Sequence, residues 1–147
     1  MRVLAIDYGQ RRCGIAVTDP GQIIANGLTT VPTPELEAFV IGYIRREPVE
    51  RIIVGYPRKL NGDDSENMRC ITPFVNRMRK VLKPMPVELF DERFTSVLAH
   101  RAMLDAGLRR KARQDKALAD EISATIILQD WMESRRFASR LDERSAT

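Results

Sequence analysis

The chain has one histidine, two cysteines and one tryptophan in 147 residues, and aromatic residues make up only 6% of it. Each scarcity narrows the chemistry. With His100 as the sole imidazole, no Ser/His/Asp or Cys/His nucleophilic set can be assembled. His100 itself reads as a helix-surface residue. Cys13 and Cys70 lie far apart, with no CxxC or Cys/His pairing. A zinc site or disulfide framework therefore has little support, and reduced thiols in a cytoplasmic protein are the simpler expectation. No apolar run reaches the length of a membrane span, and Asp7 interrupts the first apolar segment, so neither a signal peptide nor a transmembrane helix is expected. Aromatics placed to stack on bases are also few: Tyr8 and Tyr56, each at a strand end. There is no internal repeat and no low-complexity tract.

What is present suits one soluble domain. A hydrophobic content of 44% is enough to bury a core, and the length leaves little room for a second domain. We read residues 1–137 as that domain and 138–147 as a flexible polar tail. The formal net charge is +4, compatible with an anionic polymer as partner. The charge is concentrated rather than spread. Arg109, Arg110, Lys111, Arg113 and Lys116 cluster, and Arg11 and Arg12 follow the first strand.

Val3-Leu4-Ala5-Ile6 is a continuous apolar run ended by Asp7-Tyr8-Gly9, the pattern of a central strand buried on both faces. Gly14 to Thr18 reads as a second strand. After the Asp19-Pro20-Gly21 turn, Ile23 to Val31 reads as a third, completing an antiparallel meander. A helix follows from Thr33 or Pro34, with Leu36, Phe39, Val40 and Ile44 at helical spacing. Arg51 to Gly55 is a buried strand, and 57–64 a polar, mobile loop. A long helix opens at Ser65, with Pro73 placed to interrupt or restart it. Pro84 and Pro86 end it, and a strand from Pro86 to Phe90 leads into Asp91-Glu92-Arg93. Thr95 caps a further helix that Gly107 ends, and a last helix runs from about Asp115 to Arg135. This order implies an α/β protein: a mixed five-stranded sheet with a three-stranded antiparallel meander, the first strand central, and flanking helices.

Three carboxylates stand out, each with two readings. Asp7, at the carboxyl end of a buried strand, either caps the Asp-Tyr-Gly turn or binds a cation. Asp91 and Glu92 end another buried strand; strand alternation lets only one of them face the Asp7 side. They form either a surface ion cluster with Arg93 or part of a site. Asp120 either pairs with Lys116 one helical turn away or, flanked by Ala117, Ala119 and Ala124, marks a helix packed close to its neighbour. Taken together, carboxylates from two strand ends and one helix are the minimum for holding hard Mg²⁺ or Mn²⁺ ions. Two ions roughly 3.5–4 Å apart can activate water against a phosphodiester with no protein nucleophile.

Four ordered blocks resemble the YqgF family. They are Asp7-Tyr8-Gly9-Gln10-Arg11-Arg12-Cys13-Gly14-Ile15-Ala16-Val17, Ile53-Val54-Gly55-Tyr56-Pro57, Asp91-Glu92-Arg93-Phe94-Thr95-Ser96, and Asp120 with Ile126-Ile127-Leu128-Gln129. The resemblance spans residues 2–135 and implies an RNase H-like fold akin to RuvC-type Holliday junction resolvases. It implies a metal-dependent nuclease of structured nucleic acid, trimming the 5′ end of pre-16S rRNA during ribosome biogenesis, with junction cleavage as an alternative. The family's acidic triad falls on Asp7, Glu92 and Asp120. Ala117 stands where the family carries glycine, Gln10 where threonine is common, and Trp131-Met132 where Tyr-Leu is common. None of these is a metal ligand of the family. The implied cofactor is Mg²⁺ or Mn²⁺, as two ions, and the implied partner is structured pre-rRNA or branched DNA, engaged by a monomer or a homodimer.

Gly9, Arg11, Arg12, Arg93, Thr95, Arg109, Arg110, Lys111, Arg113 and Lys116 are the candidate nucleic-acid contacts. The arginines and lysines would give affinity rather than sequence readout, and for each alone a solvated surface charge is the plainer reading. Two other functions compete. Asp-x-Gly on a first hairpin also resembles the phosphate loop of actin-like and sugar-kinase ATPases, but no second such hairpin followed by Thr or Ser occurs, and 147 residues cannot hold two lobes. A non-catalytic nucleic-acid or ribosome-assembly binding module is the other alternative.

Overall fold

A computed structural model describes residues 1–56, 68–91 and 116–145. The loop expected over 57–64, the helix start at Ser65 and the helix from Thr95 to Gly107 with His100 lie outside the described residues. Among the described residues, the first three strands are β1 (Arg2–Asp7), β2 (Arg12–Thr18) and β3 (Ala25–Pro32). A short 3₁₀ turn, Thr33–Glu35, leads into α1 (Leu36–Arg46). Then come β4 (Val49–Tyr56), α2 (Met68–Val81), β5 (Val87–Asp91) and α3 (Lys116–Ser145).

The five strands form one sheet in the order β3-β2-β1-β4-β5. β1 pairs antiparallel with β2 and β2 with β3, whereas β1–β4 and β4–β5 are parallel. The mixed sheet, the meander and the central first strand are all as expected. Alternation along β1 explains its unbroken apolar run. Leu4 and Ile6 join a core layer with Leu36, Val40, Ile71, Val75 and Met78 of α1 and α2. Val3 and Ala5 join a second layer with Ala124, Ile127, Leu128 and Trp131 of α3. Both faces are dry, so a polar side chain on this strand has to wait for its carboxyl end.

β2 and β4 each begin two residues earlier than expected, and three further differences each have a physical reason. The third strand begins at Ala25 rather than Ile23. The Asp19 carboxylate accepts the N–H groups of Gly21, Ile23 and Ile24 at 3.2, 2.7 and 2.8 Å, and Gln22 sits at a φ of 55°. The donors of Ile23 and Ile24 are thus committed to the turn. Helix α2 runs through Pro73 without a break. Helix α3 continues past Arg135 to Ser145, over residues expected to form a tail. Its apolar period stops near Met132, but no glycine or proline follows Gly107, and arginine, a good helix former, is the commonest residue in what remains. A helix persists there on propensity and by extending one already packed.

Small residues seat α3 on the sheet. Ala5 and Ala16 lie under Ala124 in the second core layer. A Cβ added to Gly14 would stand 1.9 Å from the Asp120 carbonyl oxygen and 2.9 Å from the Glu121 nitrogen. At Gly27 an added Cβ would meet the Glu121 carboxylate at 2.5 Å, a flexible group that can move. Thr30 fastens the same end by donating its hydroxyl to the Ala117 carbonyl at 2.5 Å.

Gly14→Ala should therefore destabilise the fold by about 3 kcal/mol, because helix backbone rather than a side chain blocks the methyl. Gly42→Ala, in α1 with nothing within 4 Å of the added carbon, should stabilise it by about 0.5–1 kcal/mol. Urea denaturation of the two variants checks both signs.

Candidate active site

Asp7 closes β1 on the face that carries Val3 and Ala5, the α3 side. Its antiparallel partner is Gly14, and directly paired residues share a face with Cα atoms about 4.5–5.5 Å apart. Gly14 is the residue on which the Asp120 backbone rests. Two carboxylates remote in sequence are thereby brought to one place, at the carboxyl end of the central strand. On the other side of Asp7, its parallel neighbour is Gly55. Asp7 is thus flanked across the sheet by two glycines. One of them admits the helix.

Asp120 is half-buried, and its described partner is Arg12; the side chain of Lys116, the other candidate partner, lies outside the described residues. The Arg12 Nε donates to Asp120 Oδ2 at 2.6 Å, a short charge-assisted bond. The two side chains are 36% and 29% exposed, so water still reaches the pair. Arg12, expected as a phosphate contact, is here held at the acidic pair. Arg11 is exposed.

Gly9 has an internal role in the turn. A Cβ there would fall 2.4 Å from the Arg12 carbonyl oxygen, so the tight turn itself requires glycine. The Gly9 carbonyl accepts the Thr33 hydroxyl at 2.7 Å, and the Thr33 N–H donates to the Arg11 carbonyl at 3.0 Å. Thr33 thus ties the β1–β2 turn to the end of β3, a role that its position in sequence gave no reason to suspect. Tyr8 is corrected too. Expected near the site for stacking, it alternates to the opposite face, where its ring lies 5.3 Å from Phe74 of α2. Burial is the first cause that raises its phenol pKa.

Cys13 lies fully buried beneath this turn, near Thr33 Oγ1 at 3.5 Å and the Gly9 carbonyl at 3.7 Å. Burial raises its thiol pKa; the contacts with Thr33 and Gly9 oppose the rise, and the charges of Asp7 and Asp120 add to it. One thiol senses both carboxylates. Asp91 ends β5 opposite Tyr56 of β4, so β4 separates β1 from β5 by two strand spacings, about 9–10 Å. Glu92, Arg93, Thr95, Arg109, Arg110, Lys111 and Arg113 lie outside the described residues. Among the described residues, no three His, Cys, Asp or Glu side chains form a metal-binding group.

The chain matches a family model described as RuvX, Holliday junction resolvase, over residues 1–134. It is 65% identical over 136 residues to a protein of Phocaeicola vulgatus provisionally named a pre-16S rRNA nuclease, covering 92% of this chain and 98% of that one. Among solved structures it is similar to Thermus thermophilus RuvC, with a TM-score of 0.56 at 16% identity, over 91% of this chain and 96% of that one. It is also similar to T. thermophilus RuvC in complex with a Holliday junction substrate, with a TM-score of 0.58 at 17% identity, over 92% and 96% of the two chains. At such identities the likeness is one of fold: the RuvC, RNase H-like architecture.

The thiol supplies a test of the site's packing. The folded-state pKa of Cys13 is raised, so below the ordinary thiol value of 9.0 both folded and unfolded chains keep the proton. Above it the unfolded chain ionises first, and stability should fall as pH rises through the folded pKa. Urea midpoints measured across that range should decline less steeply in Cys13→Ala than in the wild type. Iodoacetamide should modify exposed Cys70 at once and Cys13 only on unfolding.

Proposed function

The chain belongs to the RuvX family, and from that premise we propose that it is a metal-dependent nuclease whose acidic centre is Asp7, Asp120 and Glu92. The observation that carries this reading is the seating of Asp120 on Gly14, the strand partner of Asp7. It gathers two carboxylates on one face where the sheet's central strand ends. Alternation along β5 supports Glu92 over Asp91 as the third. Phe90 packs with the α3-side layer, and Glu92 shares its parity.

The donor set suits hard divalent cations, Mg²⁺ or Mn²⁺, since carboxylate oxygens are their preferred ligands. Asp120 already takes a cationic partner in Arg12. The span of two strands between Asp7 and the end of β5 favours a pair of ions over one. When bound, such ions supply Lewis acidity at the phosphate and an activated water. The chain's own residues then hold and orient. Asp7 presents its carboxylate from a rigid strand end. Asp120 does so from a helix that cannot retreat without opening the core. Arg11, Arg12 and, beyond the described residues, Arg93, Thr95 and the 109–116 cluster are proposed to grip the phosphate backbone.

As substrate we propose the 5′ end of pre-16S rRNA, following the name of the relative at 65% identity. The family description favours a second reading, a branched DNA junction. We place the protein in the cytoplasm, where rRNA is processed in a bacterial cell. No helix among the described residues is long and apolar enough to cross a membrane.

Mg²⁺- or Mn²⁺-dependent cleavage of a pre-16S 5′-end fragment and of a four-way junction, compared side by side, tests both readings. Asp7→Asn should lower cleavage by at least the roughly 10–100-fold that losing even an outer-shell metal partner costs, while leaving RNA binding intact. Equal cleavage by Asp7→Asn and wild type would remove Asp7 from the centre. Binding without cleavage by either protein, under conditions where a control nuclease cuts, would favour a non-catalytic binding module.

A further inference from the structure

Arg12 stands where two demands meet. Its backbone is fixed at the first residue of β2, in register with Pro32 of β3, while its side chain reaches Asp120 with Nε at 2.6 Å from Oδ2. Asp120 cannot follow Arg12 away, because its own carbonyl is lodged against Gly14. Arg12 can leave. Its guanidinium is on a flexible stem, 36% of the side chain is exposed, and a half-exposed ion pair of this kind is weak. Asp7 is paired with Gly14, against which the Asp120 backbone is lodged, so two acidic residues meet on the α3 side of the sheet. Such a pair needs positive charge nearby, and Arg12 supplies it.

A divalent cation drawn to Asp7 and Asp120 competes with Arg12 for the same oxygen. A double positive charge arriving beside a guanidinium repels it, and the guanidinium is then available to an anion. We propose that Arg12 couples cation binding at the Asp7–Asp120 pair to nucleic-acid binding: the cation displaces it from Asp120, and a backbone phosphate becomes its new partner. This rests on the metal-nuclease reading above and assigns Arg12 a positioning role within it. The coupling is reciprocal by thermodynamic necessity, so nucleic acid strengthens cation binding by the same factor. Arg11, exposed and without a described ion-pair partner, offers a phosphate contact in either circumstance. Its effect on binding is independent of the cation.

The test uses a fluorescein-labelled RNA hairpin and Ca²⁺ as the probe cation. Anisotropy gives hairpin affinity in chelator and in saturating Ca²⁺ for wild type, Arg12→Gln, Arg12→Lys and Arg11→Gln; calorimetry gives Ca²⁺ affinity without RNA. Arg12→Gln should lower hairpin affinity roughly tenfold more in Ca²⁺ than in chelator, within the usual range of coupling between sites. The same variant should bind Ca²⁺ more tightly than wild type. Arg12→Lys, which keeps the charge, should restore most of the Ca²⁺ response. Arg11→Gln should lower affinity by the same factor in both conditions. An identical Ca²⁺ response in wild type and Arg12→Gln overturns the coupling. Weaker Ca²⁺ binding by Arg12→Gln also overturns it, since Arg12 would then be orienting Asp120 for the cation. Absence of any Ca²⁺ or Mn²⁺ binding by wild type overturns the metal-centre reading itself.

Discussion

The contact between the Asp120 carbonyl and the bare Cα of Gly14 sets the distance at which α3 lies on the sheet, and much else follows from that distance. A helix normally stands off a sheet by the depth of two side chains. Here Gly14 and Gly27 on the sheet, with Ala16 beside them and Ala124 above, reduce that depth at one end of α3. The result is not only tight packing. A residue at the start of the helix is pressed against the strand that pairs with β1, so its backbone lies over the strand partner of Asp7.

The two faces of the sheet divide the labour. On the α1–α2 side, Leu4, Ile6, Ile15, Ile52 and Val54 form the larger apolar layer, and Tyr8 and Cys13 at the strand ends are absorbed into it. On the α3 side the layer is built around smaller residues and ends in charge: Asp7 from the strand, Asp120 from the helix and Arg12 between layers of solvent and protein. Concentrating like charges this way is costly for a fold, and the Arg12–Asp120 bond offsets part of that cost. The turn from Tyr8 to Arg11 is held by Thr33 through two hydrogen bonds, which keeps the charged end of β1 in register with the end of β2.

Much of this was legible in the order of residues. The unbroken apolar run before Asp7 identified a strand covered on both faces, and β1 proved to be central. The meander followed from the closeness of three strand-like runs, and the alanines around Asp120 correctly signalled close packing. Other features depended on competition that no local pattern displays. Ile23 and Ile24 look like strand, but the Asp19 side chain claims their N–H groups. The chain after Arg135 looks like a tail because its apolar period stops, yet an anchored helix without a breaker keeps going. Tyr8 looks like a ligand contact by virtue of standing next to Asp7, but alternation sends it to the opposite face.

By itself the sequence determined the strands, their hydrophobic faces and which carboxylates are candidates for a site, because these depend on periodicity and residue chemistry within a few positions. Only the tertiary structure decided that Asp120 sits over the partner of Asp7, that Arg12 is a cationic neighbour of Asp120, and that Thr33 and Cys13 underlie the turn. The reason is one of range. Side-chain pattern is a local property, whereas which groups meet is settled when the sheet and α3 close on each other, at a depth set by two glycines.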